Sequence, residues 1–569
     1  MNSSGKLSYL FRKYSLLRAS MMLLVIAIIL IAVSIFTKRN KPVPCIESIV
    51  PPVGAPGDII TINGSNFGDI RDISYVEFAG AKLTASSYIS WKDDCIKIVL
   101  PTNVQDGLVV VGVQSMRSKP ALFTNEIDIP IPVPVPAAEQ STKPMILAID
   151  SSSVDIGELI TITGSNFGDA KNQSKVLFSI DYDKELETAD YVTTDMFTKN
   201  MIPVSEFEYG YEYWSNTEIK VRVPDGASSG VIVVDNGREK SDPKPITVSS
   251  RIGKKSYQSK QIYLIQYTAD VTNVVAGPES TITLRCPIPT VAARQPIVEI
   301  TEVVPEPLLS TYQNNLIHQI SKNNLSPEKN VFSQTFVLTV YETNTVVNQP
   351  KKIVDFSDMN KNFRKDFLTS NKIIVSDSKE IQTLANKIVQ KVKNPYEKAK
   401  MIYDYMCKSF EILPKPSSDS ENSLAMLETL KGDAYDFSVI YTSLLRACEV
   451  PAIVNSGILI NKDLSSQPHW WCEVYIAGLG WIPVDVALGA GMEYGEWDDL
   501  KGQDYYFGNL DSHRICFTRG LTEQKPFAPN SKIVYYPKSF ALQTIWEEAS
   551  EDVTEYSSFW SVPVVKGVY

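Results

Sequence analysis

Histidine is scarce in this chain. Its 569 residues include only His318, His469 and His513, which excludes a histidine-rich metal site. Seven cysteines form no Cys-x-x-Cys pair, so zinc-finger and thioredoxin-like chemistry are excluded as well. A basic excess is also missing. Lysine and arginine number 55 against 65 acids, giving a formal net charge of −10, whereas a general nucleic-acid binder needs a basic surface. No metal, cofactor or nucleic-acid partner is therefore expected. What the chain does have is an ordinary share of apolar residues, 44% against 21% charged, which excludes a mainly disordered polypeptide. At roughly 150 residues per domain, its length suggests three to five units.

One uncharged run stands out near the N-terminus. Ala19 to Phe36 carries no charge and is about 18 residues long, just enough to cross about 30 Å as a helix. Lys6, Arg12, Lys13 and Arg18 precede it, and no acid occurs before Glu47. The positive-inside tendency predicts a cytoplasmic segment over 1–18, a transmembrane signal anchor over 19–37, and an extracytoplasmic remainder at the cell surface or in the periplasm. Lys38, Arg39 and Lys41 weaken this orientation without reversing it. The alternative is a cleaved signal peptide ending near Ala32-Val33-Ser34. Either way the bulk is exported, and in an oxidising compartment Cys45 and Cys95 could pair as a disulfide.

An internal repeat follows. GDIITINGSNFGD at 57–69 and GELITITGSNFGD at 157–169 share ten of thirteen positions at an offset of 100 residues. Trp91, Ile96, Pro101 and Gly107 recur at the same mutual spacings as Trp214, Ile219, Pro224 and Gly230. Short alternating runs punctuated by Gly, Pro, Asn and Asp are strand-and-turn chemistry for a β-sandwich. With the Ile-x-Val-x-Pro strand, these motifs resemble the IPT/TIG family of immunoglobulin-like domains, one copy over 43–128 and one over 145–249. The glycines of Gly64-Ser-Asn-Phe-Gly68 suit turns of positive φ, and Phe67 is expected in the core. Between the copies, 129–144 contains Pro130, Pro132, Pro134 and Pro136 and reads as an extended linker or an edge strand running into one. The second copy carries a longer acidic, aromatic-rich loop around Asp181 to Tyr213. That loop is either a recognition surface or a hairpin packed on its own module.

The remainder divides into a further β-rich domain over 250–350, an α+β domain over 351–520, and a C-terminal extension over 521–569. Asp377-Ser-Lys-Glu380 matches a capping box, Asn394-Pro395 a second helix start, and the stripe Phe437 to Cys448 a third helix. Strands are expected at 452–460, 470–476 and 481–486. Asn394-Pro-Tyr-Glu-Lys-Ala399, Gly432-Asp-Ala-Tyr-Asp-Phe-Ser438, His469-Trp-Trp-x-Glu473 and Gly480-Trp-Ile-Pro-Val-Asp485 together resemble bacterial transglutaminase-like proteins of papain-like fold. Tyr506-Phe-Gly-Asn509 matches a further segment seen downstream in that family.

The resemblance implies a Cys thiolate at a helix start, attacking a carbonyl with a His as proton acceptor and an Asp orienting the imidazole. Its Gly-x-Cys-x-Asp/Glu pattern falls on Gly432-Asp433-Ala434-Tyr435-Asp436, so Ala434 stands at the nucleophile's place. A methyl group cannot attack a carbonyl. His469 and Asp485 therefore form a vestigial dyad, and a three-residue hairpin loop at 477–479 would put them on one sheet face. Cys407, Cys448 and Cys472 read as packing residues, and Ser438 as a small residue one turn past Ala434. Trp471, Tyr435 and Trp481 are candidates for lining a cleft. The function expected is a membrane-anchored, catalytically inactive transglutaminase-like protein that binds a peptide, glycan or surface-protein partner. The alternatives are an active amidase, peptidase or amine transferase with an unconventional nucleophile, or adhesion through the sandwich modules.

Overall fold

The computed structural model describes residues 19–20, 22–30, 43–101, 104–105, 107–125, 142–182, 200–277, 280–321, 329–354, 360–416, 422–495, 501–521, 526, 531–542 and 545–569. The expected cytoplasmic segment and most of the linker lie outside the described residues. Of the expected membrane span, 19–20 and 22–30 are helical. Among the described residues no helix is long and apolar enough to cross a membrane. The chain divides into two compact units, 1–131 with 527–529, and 132–526 with 530–569.

The first unit is a two-sheet sandwich. One sheet orders Cys45–Val50, Ile59–Ser65, Cys95–Val99 and Tyr88–Trp91; the other is built around Gly107–Val113. Alternation along Ile59–Ser65 points Ile60 and Ile62 inward, and both are fully buried with Phe67, Ile96 and Ile98. Trp91 Nε1 donates to the Phe67 carbonyl at 3.0 Å, which pins the loop over the core. The repeated glycines have two different reasons. Gly68 takes φ 84°, the left-handed conformation expected of it. Gly64 instead lets a strand approach, because a Cβ there would stand 2.0 Å from the Cys45 carbonyl oxygen.

The expected disulfide is not formed: Cys45 and Cys95 are both free. Their strands pair with opposite edges of Ile59–Ser65, Cys45 across from Ser65 and Cys95 across from Asn63. Two strand spacings of about 4.8 Å exceed the ~7 Å Cα separation that a disulfide can bridge.

In the second unit the repeat folds alike, with Met145–Ile149, Leu159–Ser165, Glu218–Arg222 and Tyr211–Trp214 in the same sheet order. Trp214 again donates to its loop carbonyl, Phe167 O, at 3.2 Å. Residues 183–199 of the long loop lie outside the described residues. Several flanking aromatics pack on neighbouring domains rather than on their own module. Tyr182 stacks on Tyr341 at 4.4 Å, and Phe207 meets Phe367 at 5.3 Å.

The next domain is a larger sandwich whose 24-residue strand Gly253–Ala276 runs antiparallel to Lys329–Val347. Residues expected as a separate C-terminal extension complete it. Val553–Trp560 and Val564–Val568 pair with Gly253–Ala276, while Trp546–Ala549 joins Thr281–Pro287 in the facing sheet. The α+β domain is thus inserted within this sandwich. Sequence adjacency suggested a tail, but strand partners are chosen by unpaired edges and exposed apolar faces.

Within the inserted domain, Ser378 caps the helix Lys379–Val389, one residue later than the capping-box reading placed it. Asn394 caps Pro395–Ser409, its side chain accepting from the N–H groups of Tyr396 and Glu397. The helix Ala434–Ala447 is buried on almost every side. It packs against a four-stranded antiparallel sheet ordered Gly480–Val484, Ser466–Ile476, Ala452–Ile460 and Arg514–Arg519.

Candidate functional site: a buried His–Asp–Arg network and a helix start

Hairpin register brings His469 and Asp485 together. Ile476 pairs with Gly480 and Cys472 with Val484, leaving 477–479 as a three-residue loop, so Asp485 follows on the face of His469 and Trp471. His469 Nε2 donates to Asp485 Oδ2 at 2.7 Å, and both residues are fully buried. With that nitrogen engaged, the His469 Nδ1 atom has no hydrogen-bond partner among the described residues. In the triad arrangement, the free nitrogen is the one that takes the nucleophile's proton.

Asp485 is held from three further directions. Its Oδ1 accepts the Leu488 N–H at 3.0 Å and caps the short helix Val486–Gly489. Its backbone N–H donates to the Tyr506 carbonyl at 2.9 Å, so the Tyr506–Asn509 motif positions the carboxylate strand. Arg514 Nη1 donates to Asp485 Oδ2, and its Nη2 to Asp511 Oδ2 at 2.7 Å. Burial by itself would raise the Asp485 carboxyl, but the His469 and Arg514 charges outweigh it and hold it below its ordinary range. Asp511 is likewise held well down against burial by Arg514, and Arg514 is kept firmly protonated between the two acids.

The buried helix starts at Ala434, whose side chain carries no reactive atom. Asp433 is its N-cap, and a reciprocal capping box joins Asp433 and Asp436. Tyr435 packs edge-on against Trp470 at 5.7 Å, so the residues following Ala434 and His469 are in ring contact. The nearby hydroxyl and thiols are committed elsewhere. Ser438 Oγ donates to the Ala434 carbonyl at 2.8 Å. Cys472 Sγ donates to Ser438 O at 3.3 Å, placing that thiol on the helix-facing side of the sheet. Burial pushes the Cys472 and Cys407 thiols up to about 12, and raises Cys448 too, so none carries appreciable thiolate near neutrality.

The expected cleft residues are interior. Tyr435, Trp471 and Trp481 are 0%, 1% and 2% exposed. Trp471 stacks on His469 at 6.3 Å with Arg514 against the same ring, which fixes the imidazole rather than opening a groove. Trp481 borders a cavity of about 290 Å³, together with Tyr182, Tyr257, Glu473, Pro483 and Arg519. By period-two alternation Glu473, Trp481 and Pro483 share the sheet face of His469 and Asp485. Arg519 pairs with Glu473 at 2.7 Å and Glu208 at 2.8 Å, and Lys255 pairs with Asp225. Burial raises the Glu208 and Asp225 carboxyls although these cations pull them down.

Among the described residues no cluster of His, Cys, Asp and Glu could hold a metal ion. Sequence reading overlooked Asp511, Arg514 and Lys538. A charged residue opening the apolar run Ile515-Cys516-Phe517 was the available signal for Arg514; Lys538 had none.

Two stretches of the chain match known families. Residues 382–486, which contain Ala434, His469 and Asp485, match the model of the transglutaminase-like superfamily. Residues 44–124 match that of the IPT/TIG domain. An uncharacterized Haemophilus influenzae protein is 27% identical over a region covering 27% of this chain and 51% of that protein. A cyclomaltodextrin glucanotransferase of Paenibacillus macerans is 28% identical over 21% of this chain and 16% of its own. The chain thus spans about half the length of one curated relative and about a sixth of the other. A provisionally assigned cysteine protease of Cytophaga hutchinsonii aligns over 54% of this chain and 92% of its own, with TM-score 0.34 and 17% identity. The periplasmic domain of TgpA from Pseudomonas aeruginosa aligns over 38% and 72%, with TM-score 0.23 and 13% identity.

Proposed function

We infer that this chain is a membrane-anchored, extracytoplasmic binding protein whose transglutaminase-like domain works without catalysis. The observation that carries this reading is the methyl group of Ala434, which opens the helix at the place where the resemblance calls for a cysteine. A cysteine hydrolase or transferase needs a thiolate there, stabilised by helix N–H groups and paired with the imidazole. The engagement of Asp485 by Arg514 supports the same view, because the carboxylate already has a permanent cation as partner. Export rests on the uncharged run 19–36 and its basic flank.

The cavity beside Trp481 is where a ligand would bind. Its aromatic rings and paired charges suit a partner with both apolar and hydrogen-bonding faces, such as a peptide or glycan. In a test, the full chain is incubated with amide and peptide substrates beside His469→Ala. Neither should turn over, and turnover that His469→Ala abolishes would overturn the reading. Peptide and glycan panels then locate binding. A ligand weakened by Tyr182→Ala supports the cavity, and one indifferent to it places recognition elsewhere.

A further inference from the structure

The C-terminal segment returns to the start of the Ala434 helix and leaves a lysine there. Phe540, Ala541 and Leu542 are buried to 2% or less, and the Leu542 N–H donates to Ser456 Oγ at 2.7 Å, so the segment is firmly anchored. This delivers Lys538 Nζ to 2.7 Å from Asp433 Oδ2 and 3.3 Å from Asp436 Oδ1. The three side chains are 2%, 1% and 11% exposed, and the Tyr435 ring lies 5.1 Å from the amine. An amine, a carboxyl and a second carboxyl are thus enclosed together beside an aromatic ring.

We propose that Lys538 and Asp433 condense into an intramolecular amide, with Asp436 as the proton shuttle. The Nζ–Cγ bond forms and the Cγ–Oδ2 bond breaks. Two of the three ammonium protons leave with Oδ2 as water, and one stays on the amide nitrogen. No oxidant or co-reactant is needed. Water exclusion favours proton transfer from ammonium to carboxylate, since a buried ion pair is held in place at high desolvation cost. Asp436 suits the shuttle role, because its Oδ1 lies 3.3 Å from the amine, and burial and the neighbouring Asp433 charge raise its carboxyl. Ser423 Oγ donates to its Oδ1 at 3.0 Å and fixes its position.

The helix cap survives the reaction. Asp433 Oδ1 accepts the Asp436 N–H at 3.1 Å, and as the amide carbonyl oxygen it continues to do so. The link joins residues 105 positions apart and ties the C-terminal segment to the first turn of the helix. It is independent of whether the domain binds a ligand or catalyses anything.

Mass spectrometry of the denatured full chain decides the matter. The expected result is a branched proteolytic peptide containing both Asp433 and Lys538, lighter by one water than its two parts. Lys538→Arg and Asp436→Ala should each yield only the linear peptides. Unlinked Asp433 and Lys538 peptides from the native chain would overturn the proposal, as would an undiminished link in Asp436→Ala.

Discussion

The two sides of the site differ in kind. On the sheet side His469, Asp485, Arg514 and Asp511 form a closed chain of hydrogen bonds and charges with no solvent access. On the helix side Ala434 offers only a methyl, and the polar groups nearby belong to the cap and to Lys538. The contrast separates what a fold needs from what a reaction needs. Removing one member of a buried charge network leaves an unpaired charge and costs several kcal/mol, about 3–5 for a buried pair. Removing a thiol from a helix start costs the fold very little. A retained His–Asp pair is therefore weak testimony for catalysis when the network also supports the core.

The largest effect expected is from Arg514→Ala, which strands both Asp485 and Asp511 in the interior. Urea or thermal unfolding should show a loss of about 3–5 kcal/mol. A loss near zero would mean that the acids find solvent, and the sheet side would no longer count as structural.

Acid comes next. Asp485 and Asp511 are held below their ordinary range, so between their folded and unfolded values the unfolded chain binds more protons. Their contribution is present above about pH 4, the unfolded carboxylate value, and is lost as pH falls through their folded values. Unfolding followed from pH 6 downward should reveal this, and Arg514→Ala should flatten the profile.

His469→Ala is expected to cost less than Arg514→Ala, about 1–3 kcal/mol, because Asp485 keeps Arg514 and the Leu488 N–H as partners. The ranking of these two variants by denaturant midpoint sharpens the comparison directly. The smallest effect falls on the helix side. Ala434→Cys should change stability by less than about 1 kcal/mol, since small buried Cys and Ala are near equivalents in packing. A large loss would show that the helix start is as tightly specified as the sheet.

Much of this site was legible in the primary structure. The hairpin Ile476–Gly480 fixes which face Asp485 takes, and the Asn394 cap follows from residue type and spacing. Phe67 and Phe167 fill their cores as the repeat suggested. Other features were not legible. Arg514 reaches Asp485 across 29 positions and Lys538 reaches Asp433 across 105, and neither spacing carries a periodic signal. The Cys45–Cys95 pairing was plausible by compartment and failed on strand order. Phe207 belongs to the loop that read either as a recognition surface or as a hairpin packed on its own module, and it meets Phe367 of the inserted domain.

By itself the sequence determined the duplicated sandwich and the absence of a thiol at position 434, and it tied the facing of His469 toward Asp485 to a three-residue hairpin loop. These rest on interactions within a turn or a hairpin, where covalent geometry leaves few choices. Only the tertiary structure decided that the dyad is sealed, that Arg514 neutralises its carboxylate, and that the last strands close the sandwich around the inserted domain. Burial and charge pairing arise between segments far apart in the chain, and their partners become defined once the apolar faces have packed.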